Sequence, residues 1–422
     1  MRAKGRGLHI VLLFITGIVV AGIFAAVSIK DIVYGQSKEP IRIGVISSMS
    51  GFIADWGYSE RIGYQMAVEE YGGEILGRPV TLIYADSEAN PDLAARRARR
   101  LIEVDGCKFL LGGTTTSEAL STGAVAEEKK ALLMAVNCNG DQVTGEYARR
   151  HVFGVSPTFT LAVRAAAPWV AENLGKKWYF ITHDYTAGHS ATAAARESLK
   201  KVGGQEIGEM KVPTGTRDFS SQLLQVRNSG ADVLVISVWG FDNVALLRQL
   251  AEFKIYDKMK VWYTLVNYVD LWAQKPEERL AYLTTETYYK ENAEMEKFSE
   301  KFSKKYPKAP VPVLDTDTWN GWPAVKLLFE AIKKAGTADD VEKVICAMEG
   351  LTIKDNMRET PSFVRPWDHQ VITQVDITKP KPGAKDTDIW EIVKIVPLMP
   401  FAQSQEEKKL DISCKPNPKY KK

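Results

Sequence analysis

The sequence has little histidine, little cysteine and almost no net charge. Five His and four Cys residues occur among 422 residues, and 55 basic residues against 52 acidic ones leave a net charge of +3. Residues 1–35 hold four basic residues and one acidic residue, so the remainder is neutral overall. Recognition of nucleic acid needs clustered basic residues, which argues against such a partner. Four Cys are too few for a disulfide scaffold, and their spacing indicates no metal site.

Motifs of the common enzyme classes are also absent. The sequence contains no GxSxG, no HExxH and no GxxxxGK[ST], which are typical of serine hydrolases, zinc proteases and nucleotide-binding loops. The best acid/base pair is His183 with Asp184, but a lone His-Asp dipeptide is usually structural. We therefore expect no enzymatic activity and no cofactor.

The N-terminus has the pattern of an export signal. Three basic residues among the first six precede an apolar stretch at residues 10–29. This stretch is long for a signal peptide and just sufficient to span a bilayer. Two alternatives stay open: residues 1–35 are a signal peptide cleaved before Gln36, or residues 10–29 remain as a membrane anchor. Both predict a periplasmic or other extracytoplasmic location.

Export also bears on the cysteines, because an oxidising compartment permits disulfides. Cys346 and Cys414 both lie in the last fifth of the chain and are the favoured pair. Cys107 precedes an apolar run and is expected to be a buried thiol.

Short apolar runs alternate with stretches of helical periodicity. Strands are predicted in two series, at 41–46, 80–84, 109–111 and 132–136, and then at 178–182, 233–238 and 261–263. Alternation of this kind indicates parallel sheets with helices on both faces. The fold class is therefore α/β, with two doubly wound parallel-sheet lobes.

The last third of the chain is organised differently. Helices are predicted at 294–306, 317–334 and 338–348, and strands at 371–377 and 389–395. These elements are too few for a third lobe, so we expect them to join the first two. The tail from Lys408 is predicted to be mostly solvated.

Polar and aromatic residues follow the predicted strands, where ligands of open α/β sheets bind. A Thr/Ser-rich turn at 114–117 opens a helix and suits an anionic group, although an ordinary helix cap is the alternative. Aromatic walls are expected from Trp56, Tyr58, Tyr185 and Trp239.

A chain of motifs then identifies a family. IRIGVISSMSGFIADWGYSERIGYQMAVEE, LLGGTTTSEAL, HDYTAGHS and TRDFSSQLLQVRNSGADVLVI, in this order, resemble the periplasmic leucine/isoleucine/valine-binding protein family over about residues 41–400. The resemblance implies a type I periplasmic binding protein, with two lobes joined by three crossings. The expected first lobe comprises 41–157 plus 288–362, the second 158–287 plus 363–400, and a C-terminal tail 401–422.

The same resemblance implies a function and partners. The chain is expected to be an exported receptor of an ABC importer, with a monomeric body that binds a small-molecule solute and delivers it to a permease in the inner membrane. The alternatives are a branched-chain amino acid receptor, or a sensor or enzyme on the same scaffold.

The ligand-binding positions of the family correspond to individual residues of this sequence. The resemblance places in the site Ser50, Trp56, Tyr58, Thr115, Thr116, Asn137, Asn139, Tyr185, Trp239 and Asn267. One departure stands out: the Glu that meets the ligand ammonium in amino-acid binders is replaced by Leu265, and a desolvated ammonium needs an anion. We therefore expect a carboxylate- or amide-bearing solute with an apolar or aromatic body rather than a zwitterionic amino acid. The alternative is that Asp242, Asp270 or Glu286 supplies the anion for an ammonium group from another turn. The disulfide of the type member is also missing, because its positions hold Ala89 and Thr115.

Overall fold

The computed structural model describes residues 39–420, except 52, 273, 310, 385 and 386. The predicted leader and its apolar stretch at 10–29 lie outside the described residues. Within the part that is described, none of the helices combines the length and the apolarity needed to cross a membrane.

The first sheet has six strands. They run in the order β2-β3-β1-β4-β5-β6 and are β1 Ile41–Ser47, β2 Glu74–Ile75, β3 Arg78–Asp86, β4 Phe109–Gly112, β5 Leu132–Ala135 and β6 Val152–Gly154. All neighbours pair in parallel except β2 with β3. The intervening helices are α1 Ala54–Glu70, α2 Pro91–Glu103 and α3 Thr116–Lys129. Asn90 caps α2 through its side chain, as expected for Asn followed by Pro at the first helical position.

The second sheet has seven strands. Its parallel part contains β7 Lys177–His183, β8 Gln205–Val212, β9 Val233–Ser237, β10 Lys260–Tyr263 and β11 Tyr282–Thr285. The helices are α4 Phe159–Asn173, α5 Thr186–Lys201, α6 Ser220–Arg227 and α7 Phe241–Glu252. The predicted α/β class with two parallel-sheet cores is confirmed. The strands β6, β8 and β11 are not predicted from the sequence. β8 lacks a continuous apolar run, because it is a half-exposed edge strand in which polar and apolar residues alternate.

The last third of the chain adds to both sheets. Its elements are α8 Ala293–Lys305, α9 Thr316–Ala335, α10 Val341–Met348, β12 Thr352–Ile353, β13 Ser362–Val364, β14 Val371–Ile372, β15 Gln374–Pro380, β16 Trp390–Pro397 and α11 Gln405–Lys408. α9 packs along α1, whereas β15 extends the second sheet antiparallel to β11, and β16 pairs antiparallel to β15 at its edge. The strands β12 to β14 form a small sheet of their own. The lobe boundaries given above stay predictions.

The helices α1 and α9 touch through glycine. A Cβ atom on Gly63 would lie 2.0 Å from the carbonyl oxygen of Thr318, and one on Gly321 would lie 2.5 Å from that of Glu60. Neither distance is physically tolerable, so only glycine permits this approach of the two backbones. Two segments more than 250 residues apart thereby form a single closely packed pair.

The C-terminal segment is held more firmly than the sequence predicts. Lys408 Nζ donates to the carbonyl oxygen of Thr144 at 3.0 Å and pairs with Asp368 at 2.7 Å, and Leu410 is buried. The disulfide between Cys346 and Cys414 is confirmed. The expectation of a mostly solvated tail from Lys408 is therefore wrong for residues 408–414, because a buried ion pair, an apolar side chain and a disulfide fix them.

Candidate functional site

Three side-chain contacts join residues of the first lobe to residues that follow the strands of the second. Trp56 Nε1 donates to Asp270 Oδ1 at 3.4 Å, and Asn139 Nδ2 donates to Glu286 Oε1 at 2.6 Å. On the same side, Asn267 Nδ2 donates to Asp317 Oδ2 at 3.0 Å. We call the region lined by these six residues the cleft. It lies where both sheets present the carboxyl ends of their strands.

Behind the first-lobe side of the cleft lies a buried hydrogen-bond network around Glu60. Thr114 Oγ1 donates to Glu60 Oε1 at 2.6 Å, and Asn137 Nδ2 donates to Glu60 Oε2 at 3.1 Å. Burial raises the pKa of Glu60 to about 8. Glu60 therefore carries a proton at neutral pH, which avoids an uncompensated buried charge.

The residues of the Thr-rich turn at 114–117 form hydrogen bonds within the protein itself. Thr115 and Glu118 form a reciprocal capping box, in which the Thr115 hydroxyl accepts from the Glu118 backbone N–H and Glu118 accepts from that of Thr115. The hydroxyl of Thr116 accepts from the backbone N–H of Gly140 at 3.1 Å. The cap that sequence analysis held as the alternative is therefore present at Thr115, and a ligand role for either Thr stays a prediction.

Glu286 joins the asparagines of the cleft. Its carboxylate accepts from Asn139 and, at 2.7 Å, from Asn320 Nδ2 in the first turns of α9. Asn320 also donates to Asn137 Oδ1 at 2.8 Å, and Asn137 adopts a left-handed backbone conformation with φ of 60°. Burial raises the pKa of Glu286 to about 7.

The N-terminus of α9 brings further carboxylates to the cleft. Asp315 caps the helix and accepts from Ser59 Oγ at 2.6 Å. Burial, together with the neighbouring Asp315 and Asp270, raises the pKa of Asp317 well above its usual range. Burial raises the pKa of Asp270 to about 7.

Two of these acids, Asp270 and Glu286, are among those that the sequence offers in place of the missing Glu, whereas the third, Asp242, pairs with His183. Leu265 occupies the position of the missing Glu, and its side chain is buried in the core of the second lobe. However, Glu286, Asp270 and Asp317 supply carboxylates from other turns. The absence of an acid at Leu265 therefore does not leave the cleft without anions.

The second lobe contributes an aromatic wall. The rings of Tyr185 and Trp239 lie 6.3 Å apart, edge to face, and Trp239 Nε1 donates to the carbonyl oxygen of Leu265 at 2.6 Å. His183 stands behind both rings, and its Nδ1 accepts from the backbone N–H of Trp239 at 3.4 Å. Tyr185 remains 39% exposed, so part of this wall is open to a ligand.

His183 and Asp184, the acid/base candidates of the sequence, have separate partners. His183 Nε2 lies 3.0 Å from Asp242 rather than beside Asp184, and Asp184 pairs with His189 instead, also at 3.0 Å. Burial lowers the pKa of His183. The residue is thus a neutral, buried support for the Trp239 backbone.

The structure does not bring every candidate to the cleft. Ser50 is exposed and bonds to Asp86, and Tyr58 is 41% exposed on α1. Within the described part of the chain, neither contacts the Glu60 or Glu286 networks. Of the remaining eight candidates, Trp56, Asn139 and Asn267 line the cleft, and Asn137 bonds to Asn320 behind it. Thr115 and Thr116 lie at the start of α3, where Thr116 bonds to Gly140 beside Asn139. Tyr185 and Trp239 follow β7 and β9 at the carboxyl end of the second sheet.

The chain matches a known protein family over most of its length. A profile of the family described as periplasmic binding protein matches residues 40–386. The Leu/Ile/Val-binding protein homolog 3 of Brucella melitensis is 26% identical over 311 residues, which cover 73% of this chain and 83% of that protein.

Two solved structures extend the comparison. A branched chain amino acid ABC transporter periplasmic ligand-binding protein from Burkholderia xenovorans has a TM-score of 0.80 at 25% identity, covering 87% of this chain and 98% of its own. A Rhodopseudomonas palustris solute binding protein in complex with 3,4-dihydroxy benzoic acid has a TM-score of 0.76 and covers 85% and 98%; its 22% identity shows the fold alone. Together with the profile match over most of the sequence, these findings establish that the chain belongs to the periplasmic binding protein family, as its motifs predict.

Proposed function

We propose that this protein is the solute-binding receptor of an ABC importer, closing two lobes over a small solute without catalysis. Membership of the family implies an extracytoplasmic location. The named relatives include receptors of ABC transporters, which supports an inner-membrane permease as the partner. The body is proposed to act as a monomer, held at the membrane only if residues 10–29 are retained.

The observation that carries this proposal is the set of contacts across the cleft. Asn139 with Glu286, Trp56 with Asp270 and Asn267 with Asp317 link the two lobes through side chains alone. A solute that bonds to these groups gains contacts from both lobes only when the lobes are closed. Binding and closure are therefore linked, as population shift requires.

For the solute we propose a small carboxylate- or amide-bearing molecule with an apolar or aromatic body. The edge-to-face rings of Tyr185 and Trp239 favour a flat apolar group. The amide of Asn267 offers a hydrogen bond to a carbonyl or carboxylate oxygen, whereas both N–H groups of Asn139 already bond to Pro157 and Glu286. Thr116 supplies a hydroxyl at the N-terminus of α3.

One observation favours a second candidate, a receptor for branched-chain amino acids. The carboxyl groups of Glu286 and Asp270, whose pKa values are raised to about 7, lie in the cleft and in their ionised form provide the anion that a desolvated ammonium group needs. The name of the Brucella relative agrees with this alternative.

Thermal unfolding with four matched solutes tests both candidates. The set is 3-phenylpropionate, 3-phenylpropionamide, phenylalanine and leucine, each confirmed by calorimetry. A solute at a hundredfold its Kd stabilises the folded state by about 2.7 kcal/mol. Stabilisation by the acid or the amide supports the first candidate, and stabilisation by leucine alone supports the second. Turnover of a bound solute contradicts the receptor role.

The state of the leader has its own test. N-terminal sequencing of the exported protein gives Gln36 or a nearby residue if the signal is cleaved. An intact start, together with recovery in the membrane fraction, indicates an anchored receptor.

A further inference from the structure

Arg358 lies fully buried in the connection from α10 to β15, outside the cleft. Its Nη1 donates to the backbone carbonyl oxygen of Glu286 at 2.5 Å. Its Nε lies 2.5 Å from Glu291 Oε2, and its Nη2 donates to Asp376 Oδ1 at 3.1 Å. The side chains of Arg358, Glu291 and Asp376 have no solvent exposure. One guanidinium group therefore joins the chain leaving β11 to strand β15.

The same guanidinium also reaches the first lobe. Its central carbon lies 4.9 Å from the ring centroid of Trp319 in α9, a cation–π contact. Trp319 is the neighbour of Asn320, which bonds to the Glu286 carboxylate. Arg358 thus contacts both lobes and the segment that runs between them.

The charges around Arg358 balance. Two carboxyl groups, Glu291 and Asp376, face one guanidinium, and Gln374 Nε2 donates to both of them, at 2.9 and 3.2 Å. Burial raises the pKa of both Glu291 and Asp376, so the pair shares one proton and carries a single negative charge. The cluster is neutral at pH 7, which lowers the cost of burying it.

Glu286 is therefore held at two points. Arg358 binds its backbone carbonyl group, while Asn139 and Asn320 bind its carboxylate in the cleft. A rotation of one lobe against the other moves Asn139 and Asn320 relative to the β11 end. Because Glu286 is attached at both its backbone and its side chain, such a rotation has to change the conformation of this residue.

We propose that Arg358 is a positioning residue of the receptor: it fixes the backbone at Glu286, aims the Glu286 carboxylate into the cleft and couples contacts made there to the angle between the lobes. The inference rests on the receptor function proposed above. Arg358 does not touch the solute in this arrangement; it acts through Glu286.

A second arginine provides a matched control. Arg365 is buried as well, with 7% of its side chain exposed. It also pairs with a carboxylate, Asp368, and its guanidinium lies 4.1 Å from the ring centroid of Trp367. Its remaining donor goes to the carbonyl oxygen of Gln403 and not to the cleft. The R358K and R365K variants therefore remove the same planar group from similar surroundings.

Hydrogen exchange without solute is the first measurement. R358K should speed exchange at least about tenfold in the peptides that contain residues 286–292, Asn139 and Asn320. R365K should speed exchange only near residues 403–412. If R358K unfolds, Trp319→Phe removes part of the ring contact and should produce the same pattern more weakly. Unchanged exchange at Asn139 and Asn320, or the same pattern in R365K, overturns the inference.

Solute affinity is the second measurement, made with whichever of the four matched solutes stabilises the wild type most. R358K should weaken binding at least about tenfold, whereas R365K should leave it within about twofold. Equal losses of solute affinity in R358K and R365K overturn the proposed coupling between Arg358 and the cleft. If the wild type binds none of the four solutes but the exchange pattern holds, the positioning role stands and the proposed solute class fails.

Discussion

The two faces of the cleft are built in opposite ways. The first-lobe face consists of buried side chains whose hydrogen bonds are largely satisfied by one another, centred on Glu60 and Asn320. The second-lobe face consists of aromatic rings, with Tyr185 partly exposed and Trp239 held through its N–H groups. The first face is fixed before a solute arrives, because any movement breaks several buried hydrogen bonds at once. The second face can adjust to a solute, because turning the exposed ring of Tyr185 breaks none of these hydrogen bonds.

The largest expected effect comes from breaking the support of the first face. Gly63→Ala places a methyl group against the Thr318 backbone and should lower the free energy of unfolding by about 3 kcal/mol, the upper range for overpacking. Solute binding should fall with it. Gly123→Ala in α3 is the control, because its new methyl group meets only the side chains of Val152 and Leu133. Equal stability of the two variants in denaturant titrations would contradict the close packing of α1 and α9.

Removing one member of the polar network should have a smaller effect. Asn320→Ala leaves buried oxygen atoms of Asn137 and Glu286 without their donor and should cost about 2 kcal/mol. Urea unfolding measures this loss. Asn228→Ala, at the exposed C-terminal end of α6, should change stability by less than about 0.5 kcal/mol. A loss below this value for Asn320→Ala would mean that the face is not preformed.

Protonation of the first face predicts a pH dependence. The pKa of Glu60 is raised to about 8 in the folded state, against about 4.3 in an unfolded chain. Between these values the folded state binds more protons than the unfolded state, so the contribution of Glu60 to stability is complete below about pH 4 and is lost as the pH rises to about 8. The free energy of unfolding falls by at most about 1.4 kcal/mol per pH unit for each buried acid with a raised pKa. Glu286 and Asp270 add to this fall between about pH 4 and 7.

Glu60→Gln isolates the contribution of this residue. The variant should show a flatter dependence of unfolding free energy on pH, whereas Glu172→Gln, on the exposed side of α4, should retain the wild-type slope. Identical slopes for Glu60→Gln and the wild type would show that Glu60 is ionised in the folded protein.

The smallest effect on stability is expected from the second face. Tyr185→Ala should change the unfolding free energy by less than about 0.5 kcal/mol, because the ring is partly exposed. It should nevertheless weaken binding of an aromatic solute about tenfold, the loss of roughly one stacked ring pair. Calorimetry with 3-phenylpropionamide separates the two effects. A large stability loss with unchanged affinity would place Tyr185 in the core instead.

The sequence predicts the second face better than the first, for a physical reason. Tyr185 and Trp239 directly follow strands β7 and β9, so a correct strand assignment is sufficient to place them. Glu60, Asn320 and Asp317 belong to helices, and their place in the cleft depends on how α1 and α9 meet. Nothing local in DTDTWNGW indicates that contact, although a polar helical turn followed by Gly and Trp is unusual enough to suggest burial.

Arg358 was missed for a related reason. A single Arg in an irregular connection resembles a surface residue, and its three partners lie 18 to 72 positions away. By contrast, the disulfide is predictable because the sequence has only four cysteines. Two of them, Cys346 and Cys414, lie 68 positions apart in the last fifth of the chain.

The glycine contact between α1 and α9 also bears on how such a receptor changes its ligand over evolutionary time. Substitutions at Gly63 or Gly321 are excluded by backbone atoms, and those at Glu60 or Asn320 disturb partners on both helices. The first lobe is therefore a rigid platform, with few single substitutions open to it. After β7, Gly188 is fixed in the same way by the carbonyl oxygen of His183. A lineage that acquires a new solute is therefore expected to vary first at the aromatic and amide residues that follow β7, β9 and β10, one residue at a time.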